Sequence, residues 1–269
     1  MSCPASTEGA PTLLPVIVFA DSHLTVGRPE RTRLVLDFLD TLPGRTNQVY
    51  ILGDLFDFWL GRKHLLLPDY SDLLDKLREL TDSGMEIRMI RGNRDFLIDS
   101  SFAEHTGVQL LCDYFDLDVG EQRVRMTHGD LLCTADWRYL MWRRVVRHPM
   151  VRACVRLMPL FATRALAVRM REFSENEIRR KKMKQAVGIV EAAAIEAMDE
   201  KSDFLIVGHA HTPETRAFIV DGEEKMMYVL GDWKEQGIYL QLSSDGIEHW
   251  KFSREGDNPV EVPHQPNWD

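Results

Sequence analysis

An α/β fold of mixed layers is predicted by three observations: short apolar runs that end in Gly, Asp, Asn or His, amphipathic stretches between them, and a closing series of strands. The first run, Val16-Ile17-Val18-Phe19-Ala20, has the continuous apolar character of a buried strand. Asp21 and His23 follow it two residues apart, so an extended backbone turns both to one side. Arg31 to Leu42 has helical spacing, and Val49-Tyr50-Ile51-Leu52 then leads into Gly53-Asp54. A second helical stretch, Tyr70 to Ser83, precedes Ile87-Arg88-Met89-Ile90 and the turn Gly92-Asn93-Arg94-Asp95. Val124-Arg125-Met126-Thr127 ends at His128, and Phe204-Leu205-Ile206-Val207 ends at Gly208-His209-Ala210-His211. Between these two strands, Gln185 to Met198 reads as a long alanine-rich helix. The chain closes with Met227-Tyr228-Val229-Leu230 and Gly237 to Leu242, turned by Ser243-Ser244-Asp245-Gly246 into Ile247 to Phe252. The expected organisation is a flexible N-terminus over 1–15, one domain over 16–252 with an insertion at 137–184, and a loosely held tail over 253–269.

Each strand-end signal has an ordinary reading. An Asp after a strand caps a turn, an Asn carbonyl supplies one, and a lone His is commonly a satisfied core residue. Two histidines at the spacing of His209 and His211 tilt that balance. The five segments together supply hard oxygen donors, several imidazoles and a carboxylate able to bridge two divalent cations about 3.5 to 4 Å apart. The set therefore reads as a two-metal phosphoesterase site. Asp57, three residues after Asp54, is read either as a carboxylate steadying a ligand or, in preference, as the cap of the following turn.

The segments resemble the calcineurin-like metallophosphoesterase superfamily, whose pattern runs D-x-H, G-D, G-N, H and G-H-x-H. Three longer strings, Tyr50-Ile51-Leu52-Gly53-Asp54-Leu55-Phe56-Asp57-Phe58-Trp59, Arg91-Gly92-Asn93-Arg94-Asp95-Phe96-Leu97-Ile98 and His128-Gly129-Asp130-Leu131-Leu132-Cys133-Thr134-Ala135-Asp136, are similar to the UDP-2,3-diacylglucosamine pyrophosphohydrolase family of lipid A biosynthesis. The similarity spans roughly Val16 to Phe252. It implies a metallophosphoesterase-type β-sandwich flanked by helices, with a basic helical lid over the acyl chains of the substrate. It implies two divalent metal ions, manganese in most of the family: one held by Asp21, His23, Asp54 and His211, the other by Asp54, Asn93, His128 and His209. It places Asp54, Asn93, Arg94 and His128 at the catalytic centre, and substrate contacts on Asn93, Arg94, Asp136, Tyr139, Arg171, Ser174, Lys181 and His209. An activated water would attack the α-phosphorus, giving UMP and 2,3-diacylglucosamine 1-phosphate. The chain departs from the family's common L-H and H-G-H-T-H-R-P strings at Ser22-His23 and at Val207-Gly208-His209-Ala210-His211-Thr212-Pro213, where no arginine follows the last histidine.

Arg94 points to a phosphoanhydride substrate on chemical grounds. Many members of the superfamily carry histidine there, placed to protonate a poor alkoxide leaving group. Arginine stays charged at physiological pH, so it cannot act as that acid, but it can clamp phosphate oxygens. A leaving phosphate monoester needs no such acid. A structural pairing of Arg94 with Asp95 or Asp99 is the alternative.

Charge is strongly segregated. Trp137 to Lys184 carries 14 Lys or Arg against three acids, a net charge of +11, in a chain whose total is -9, so the remainder sums to -20. Val151, Val155, Met158, Phe161, Ala165 and Val168 recur within it at helical spacing, interrupted by Pro159. It reads as amphipathic helices that are a solvated basic cap, a membrane-surface element or, less well supported, a nucleic-acid patch. A membrane reading fits basic residues interleaved with Met, Leu, Phe and Trp. A nucleic-acid partner is not expected, because base-stacking aromatics are not clustered and the acidic remainder repels a polyanion.

With 269 residues and 44% hydrophobic content the chain is long enough for one large domain with an insertion. No apolar run reaches transmembrane length, and Met1 to Pro15 has neither a basic start nor an apolar core, so the expected location is cytoplasmic, peripheral on the inner membrane and facing a UDP-linked glycolipid. Cys3, Cys112, Cys133 and Cys154 lack C-x-x-C spacing and read as reduced thiols, with Cys133 a packing residue rather than a nucleophile. A soluble phosphodiesterase or nucleotide pyrophosphatase, and a non-catalytic metal-bound scaffold, are the competing functions.

Overall fold

In the computed structural model the described residues are 14–135, 137–159, 161–163, 165–166, 169, 189–198 and 201–265. The order begins β1 (Val16–Phe19), α1 (Pro29–Asp40), β2 (Gln48–Leu52), α2 (Pro68–Asp82) and β3 (Glu86–Ile90). β2 lies parallel to both β1 and β3, as strands joined by helical crossovers must. Both helices open on a proline whose fixed φ suits the first turn, and both turn an apolar stripe inward: Leu34, Val35, Phe38 and Leu39 from α1, and Leu73, Leu74, Leu77 and Leu80 from α2.

Next come α3 (Ser100–Thr106), β4 (Gln109–Leu110), β5 (Tyr114–Val119), β6 (Gln122–Thr127), α4 (Trp137–Val146), α5 (Pro149–Leu157) and α6 (Glu191–Ala197). Seven strands complete the chain: β7 (Phe204–Val207), β8 (Glu214–Val220), β9 (Glu223–Val229), β10 (Gly237–Ser243), β11 (Gly246–Ser253), β12 (Gly256–Pro259) and β13 (His264–Gln265). The thirteen strands of the described residues form a seven-stranded sheet, β12-β11-β10-β1-β2-β3-β4, and a six-stranded sheet, β13-β8-β9-β7-β6-β5.

Strand periodicity decides which core each residue enters. Val16, Val18, Tyr50 and Leu52 face Phe115, Val124, Met126 and Ile206 between the sheets, while Ile17, Phe19, Val49 and Ile51 face α1 and α2. The opposite face of the second sheet is covered by α6 through Ala194 and Ala197. Val151 and Val155 of α5, and Met158 just after it, pack on Leu60, Phe96 and Leu97.

Three expectations are corrected. Residues 256–259 and 264–265, expected in a loosely held tail, are edge strands, because β11 and β8 offer backbone ladders that no side-chain pattern announces. Of the helix expected over Gln185–Met198, the described residues are helical over α6 and not at 189–190; Val190 is extended and its N–H goes to the Leu132 carbonyl at 3.0 Å, while residues 185–188 lie outside the described set. Cys133 and Cys154 are free thiols, but Cys112 is disulfide-bonded, against the expectation of reduced thiols.

Candidate metal centre

Both sheets end at one edge of the sandwich, and their strand-end loops meet there. β1, β2 and β3 deliver Asp21 and His23, Asp54, and Asn93 from the first sheet; β6 and β7 deliver His128, and His209 with His211, from the second. The loops are tied directly. Asp21 N–H donates to the Gly53 carbonyl, His23 N–H to the Asp54 carbonyl and Gly208 N–H to the His128 carbonyl, at 3.1, 2.9 and 3.0 Å. Asp21 Oδ2 accepts from His209 N–H at 2.8 Å, joining the two sheets.

Such close crossing demands glycine at two positions. A Cβ on Gly53, whose φ is +83°, would lie 2.5 Å from Gly92 N, and one on Gly92 would lie 2.1 Å from Asp54 Oδ1. Six non-glycine described residues have positive φ, and Asp21, His23, Asp54, His209 and His211 are five of them, with φ from 46° to 65°. Each such left-handed residue costs about 1–3 kcal/mol, held by the surrounding loops.

The side chains converge as two groups that share Asp54. In the first, His23 Nε2 and His211 Nε2 are 3.1 Å apart, and Asp21 Oδ1 is 3.5 Å from His211 Nε2. In the second, Asn93 Oδ1 lies 3.0 Å from His128 Nε2 and 3.2 Å from His209 Nδ1. Asp54 turns Oδ2 toward His23 Nδ1 at 3.9 Å and Oδ1 toward His128 Nε2 at 3.8 Å, one oxygen to each group.

These residues fit divalent cations. Donor atoms on adjacent vertices around one small cation, with bonds of about 2.1 Å, stand about 3 Å apart. Asp21 Oδ1 and His23 Nδ1 are buried with no hydrogen-bond partner among the described residues. His128 Nδ1 donates to the Leu52 carbonyl at 2.8 Å, which leaves the Nε2 lone pair of a neutral ring aimed at the Asn93 carbonyl oxygen. Two facing acceptors need a cation or a proton between them. Titration agrees: burial lowers His128, but the charges of Asp54, Asp130 and Asp21 outweigh it and raise the metal-free ring to about 9. Burial pushes Asp54 up to about 7, and pushes His209 down to about 4 and His23 well below its ordinary range, so those two rings present lone pairs. Burial also works against a charged His211, yet Asp21 holds it above the usual value.

Arg94 is buried beside the shared carboxylate. Its N–H donates to Asp54 Oδ1 at 2.9 Å, its Nε is 3.8 Å from Asp54 Oδ2, and its guanidinium lies over the Phe58 ring. Its Nη1 donates to Asp57 Oδ1. The alternative pairing with Asp95 or Asp99 is thus replaced by Asp57, and Asp57 is neither a ligand brace nor a plain cap: it is the counter-ion that holds Arg94. Asp95, expected only as a possible partner of Arg94, instead braces the loops by accepting from Gly92 N–H at 2.8 Å and Leu55 N–H at 2.9 Å, a pattern that its place in the Gly92–Asp95 turn could have suggested. Of the expected substrate contacts, Asn93, Arg94 and His209 are together in the centre. Asp136, Arg171, Ser174 and Lys181 lie outside the described residues, as does the side chain of Tyr139 on α4.

A seven-donor centre at the loop edge of a two-sheet sandwich defines a divalent-metal phosphoesterase, and the calcineurin-like phosphoesterase family model matches residues 14–213. The chain belongs to that family, which works with divalent metals. Its relatives there are UDP-2,3-diacylglucosamine hydrolases. Those from Pseudomonas putida strains W619 and F1 are 35% and 34% identical, covering 88% and 87% of this chain and 100% and 97% of their own. That from Pseudomonas paraeruginosa is 36% identical, covering 88% of this chain and 98% of its own.

Proposed function

We propose that the protein hydrolyses the pyrophosphate of UDP-2,3-diacylglucosamine to UMP and 2,3-diacylglucosamine 1-phosphate, a step of lipid A biosynthesis, with two Mn2+ ions as cofactor. The observation that carries the reading is the pair of donor groups closing on the two oxygens of Asp54 with Arg94 held beside them. Asp21, His23, Asp54 and His211 would hold one ion and Asp54, Asn93, His128 and His209 the other. Ions held there would supply the acidification of a water and the neutralisation of phosphate charge. Arg94, permanently charged, orients the diphosphate and stabilises charge that develops on its oxygens. No group of the centre has to protonate the leaving oxygen, because a phosphate monoester with a second pKa of about 6 leaves as the dianion at neutral pH.

The basic insertion supports a lipid substrate. Its described helices bury one apolar face under α5 and leave another in water: Met141, Val145, Met150, Leu157 and Phe161 are 57% to 85% exposed, among arginines. We assign 137–184 to a lid over the acyl chains that rests on anionic lipid at the cytoplasmic face of the inner membrane, with Asp136, Tyr139, Arg171, Ser174 and Lys181 as substrate contacts. No described helix is long and apolar enough to cross a membrane.

Hydrolysis of UDP-2,3-diacylglucosamine by purified protein with Mn2+ and detergent, against a UDP-sugar without acyl chains, tests this. Release of UMP from the acylated substrate alone is expected. Cleavage of a chromogenic phosphodiester with neither nucleotide turned over would retain the metal chemistry and defeat the lipid assignment.

A further inference from the structure

α4, the first helix of the insertion, grips both loops that present Asn93 and His128. Arg143 on α4 and Arg147, the residue that follows its last turn, stand four positions apart and converge on Asp113, in the loop before β5: Arg143 Nη2 is 3.1 Å from Asp113 Oδ2 and Arg147 Nη1 is 2.9 Å from Asp113 Oδ1. Each arginine then reaches a different loop. Arg143 Nε donates at 2.8 Å to Asp130, a carboxylate only 2% exposed, two residues beyond His128. Arg147 Nη2 donates at 3.3 Å to the carbonyl of Gly92, the residue before Asn93.

From this geometry we infer that Arg143 and Arg147 are positioning residues that couple the docking of α4 to the Asn93–His128–His209 half of the metal centre. The inference rests on the two-metal reading above. Asn93 Oδ1 and His128 Nε2 are set 3.0 Å apart by loops that the Arg143–Asp113–Arg147 network holds at a common distance from one helix. If α4 leaves, Asp130 loses its Arg143 partner and both loops lose a constraint at the same moment. By linkage the effect is reciprocal: whatever fixes the spacing of Asn93 and His128 also favours the docked helix. The first turns of the insertion would thereby make the second ion's site complete only when the cap is seated.

The test uses the full chain and Mn2+ alone. Binding is followed by the loss of the EPR signal of the free ion, and hydrogen exchange of the α4 amides is read with and without metal. Arg143→Met and Asp113→Asn should each weaken one of two bound ions by about 10- to 100-fold, Arg143→Lys should recover part of that loss, and Mn2+ should slow exchange in α4 of the wild type. Asp113 is 39% exposed, so its replacement by Asn provides a variant that removes the shared counter-charge without opening the interior. Two ions bound at wild-type affinity in both Arg143→Met and Asp113→Asn, with α4 exchange indifferent to metal, would reduce the network to an anchor and overturn the inference. A wild type that takes up no second ion would defeat the two-metal reading and this inference with it. No arm uses the lipid substrate, so failure of the lipid assignment alone leaves the outcome readable.

Discussion

Asp57→Ala removes the counter-ion of Arg94, together with an acceptor of the Thr25 hydroxyl at 3.3 Å. Both side chains are 10% exposed, so the variant leaves a guanidinium in the interior with its first partner gone. Breaking a buried pair on one side costs about 3–5 kcal/mol. The next carboxylate in reach is Asp54, whose Oδ2 is already 3.8 Å from Arg94 Nε, and a guanidinium that swings onto it competes with a metal for that oxygen. The variant should therefore lose about 3 kcal/mol in urea unfolding, bind Mn2+ about 10-fold more weakly, and turn over a chromogenic phosphodiester at least about 100-fold more slowly. Asp57→Asn keeps an acceptor but not the charge, and should lose only about half as much stability. Wild-type unfolding and wild-type Mn2+ affinity in Asp57→Ala would show that Arg94 is held by something other than Asp57, and would remove the proposed division of labour between them.

Gly92→Ala places a methyl carbon 2.1 Å from Asp54 Oδ1 and 2.4 Å from Asp54 N, so one loop must retreat; phosphodiester turnover should fall by about 100-fold, and a near wild-type kcat would refute the described crossing. His64, 2% exposed and taking the Leu60 N–H at 3.3 Å, is lowered by burial from 6.5 to about 4. The unfolded chain takes up this proton first as pH falls, so the stability that the neutral ring contributes is complete above about 6.5 and is lost down to about 4, a change of about 3 kcal/mol. His64→Asn, which retains an acceptor, should flatten the slope of unfolding free energy across that window, and parallel slopes would exclude the assignment.

The cluster of donors was legible because each follows a short strand, continuous apolar in β1 and β7 and interrupted by arginine in β3 and β6, and such strand ends are recognisable from a few residues. The partner of Arg94 was not, because Asp57 lies 37 positions away in the chain and meets it only once two loops cross. Asp130 and Arg143 are likewise joined by tertiary structure rather than by any local period. β12 escaped because its polar residues and terminal proline bury little, and β13 because two polar residues carry no strand period; each is a strand by virtue of the neighbour that it pairs with. The apolar face of α5 was visible as spacing at Val151, Val155 and Met158, whereas its seat on Leu60, Phe96 and Leu97 required the fold.

The division of donors between two sheets has a kinetic consequence. Asp21, His23, Asp54 and Asn93 follow strands of one sheet, and His128, His209 and His211 follow strands of the other, so neither sheet alone carries the complete set proposed for either ion. A divalent cation can thus engage its full set of donors only after the sandwich has closed, and contacts absent from the folding transition state act on the rate of leaving the native state rather than on the rate of reaching it. Metal in the medium should leave the refolding limb of a chevron where it was and depress the unfolding limb, making the centre a late clasp rather than a seed.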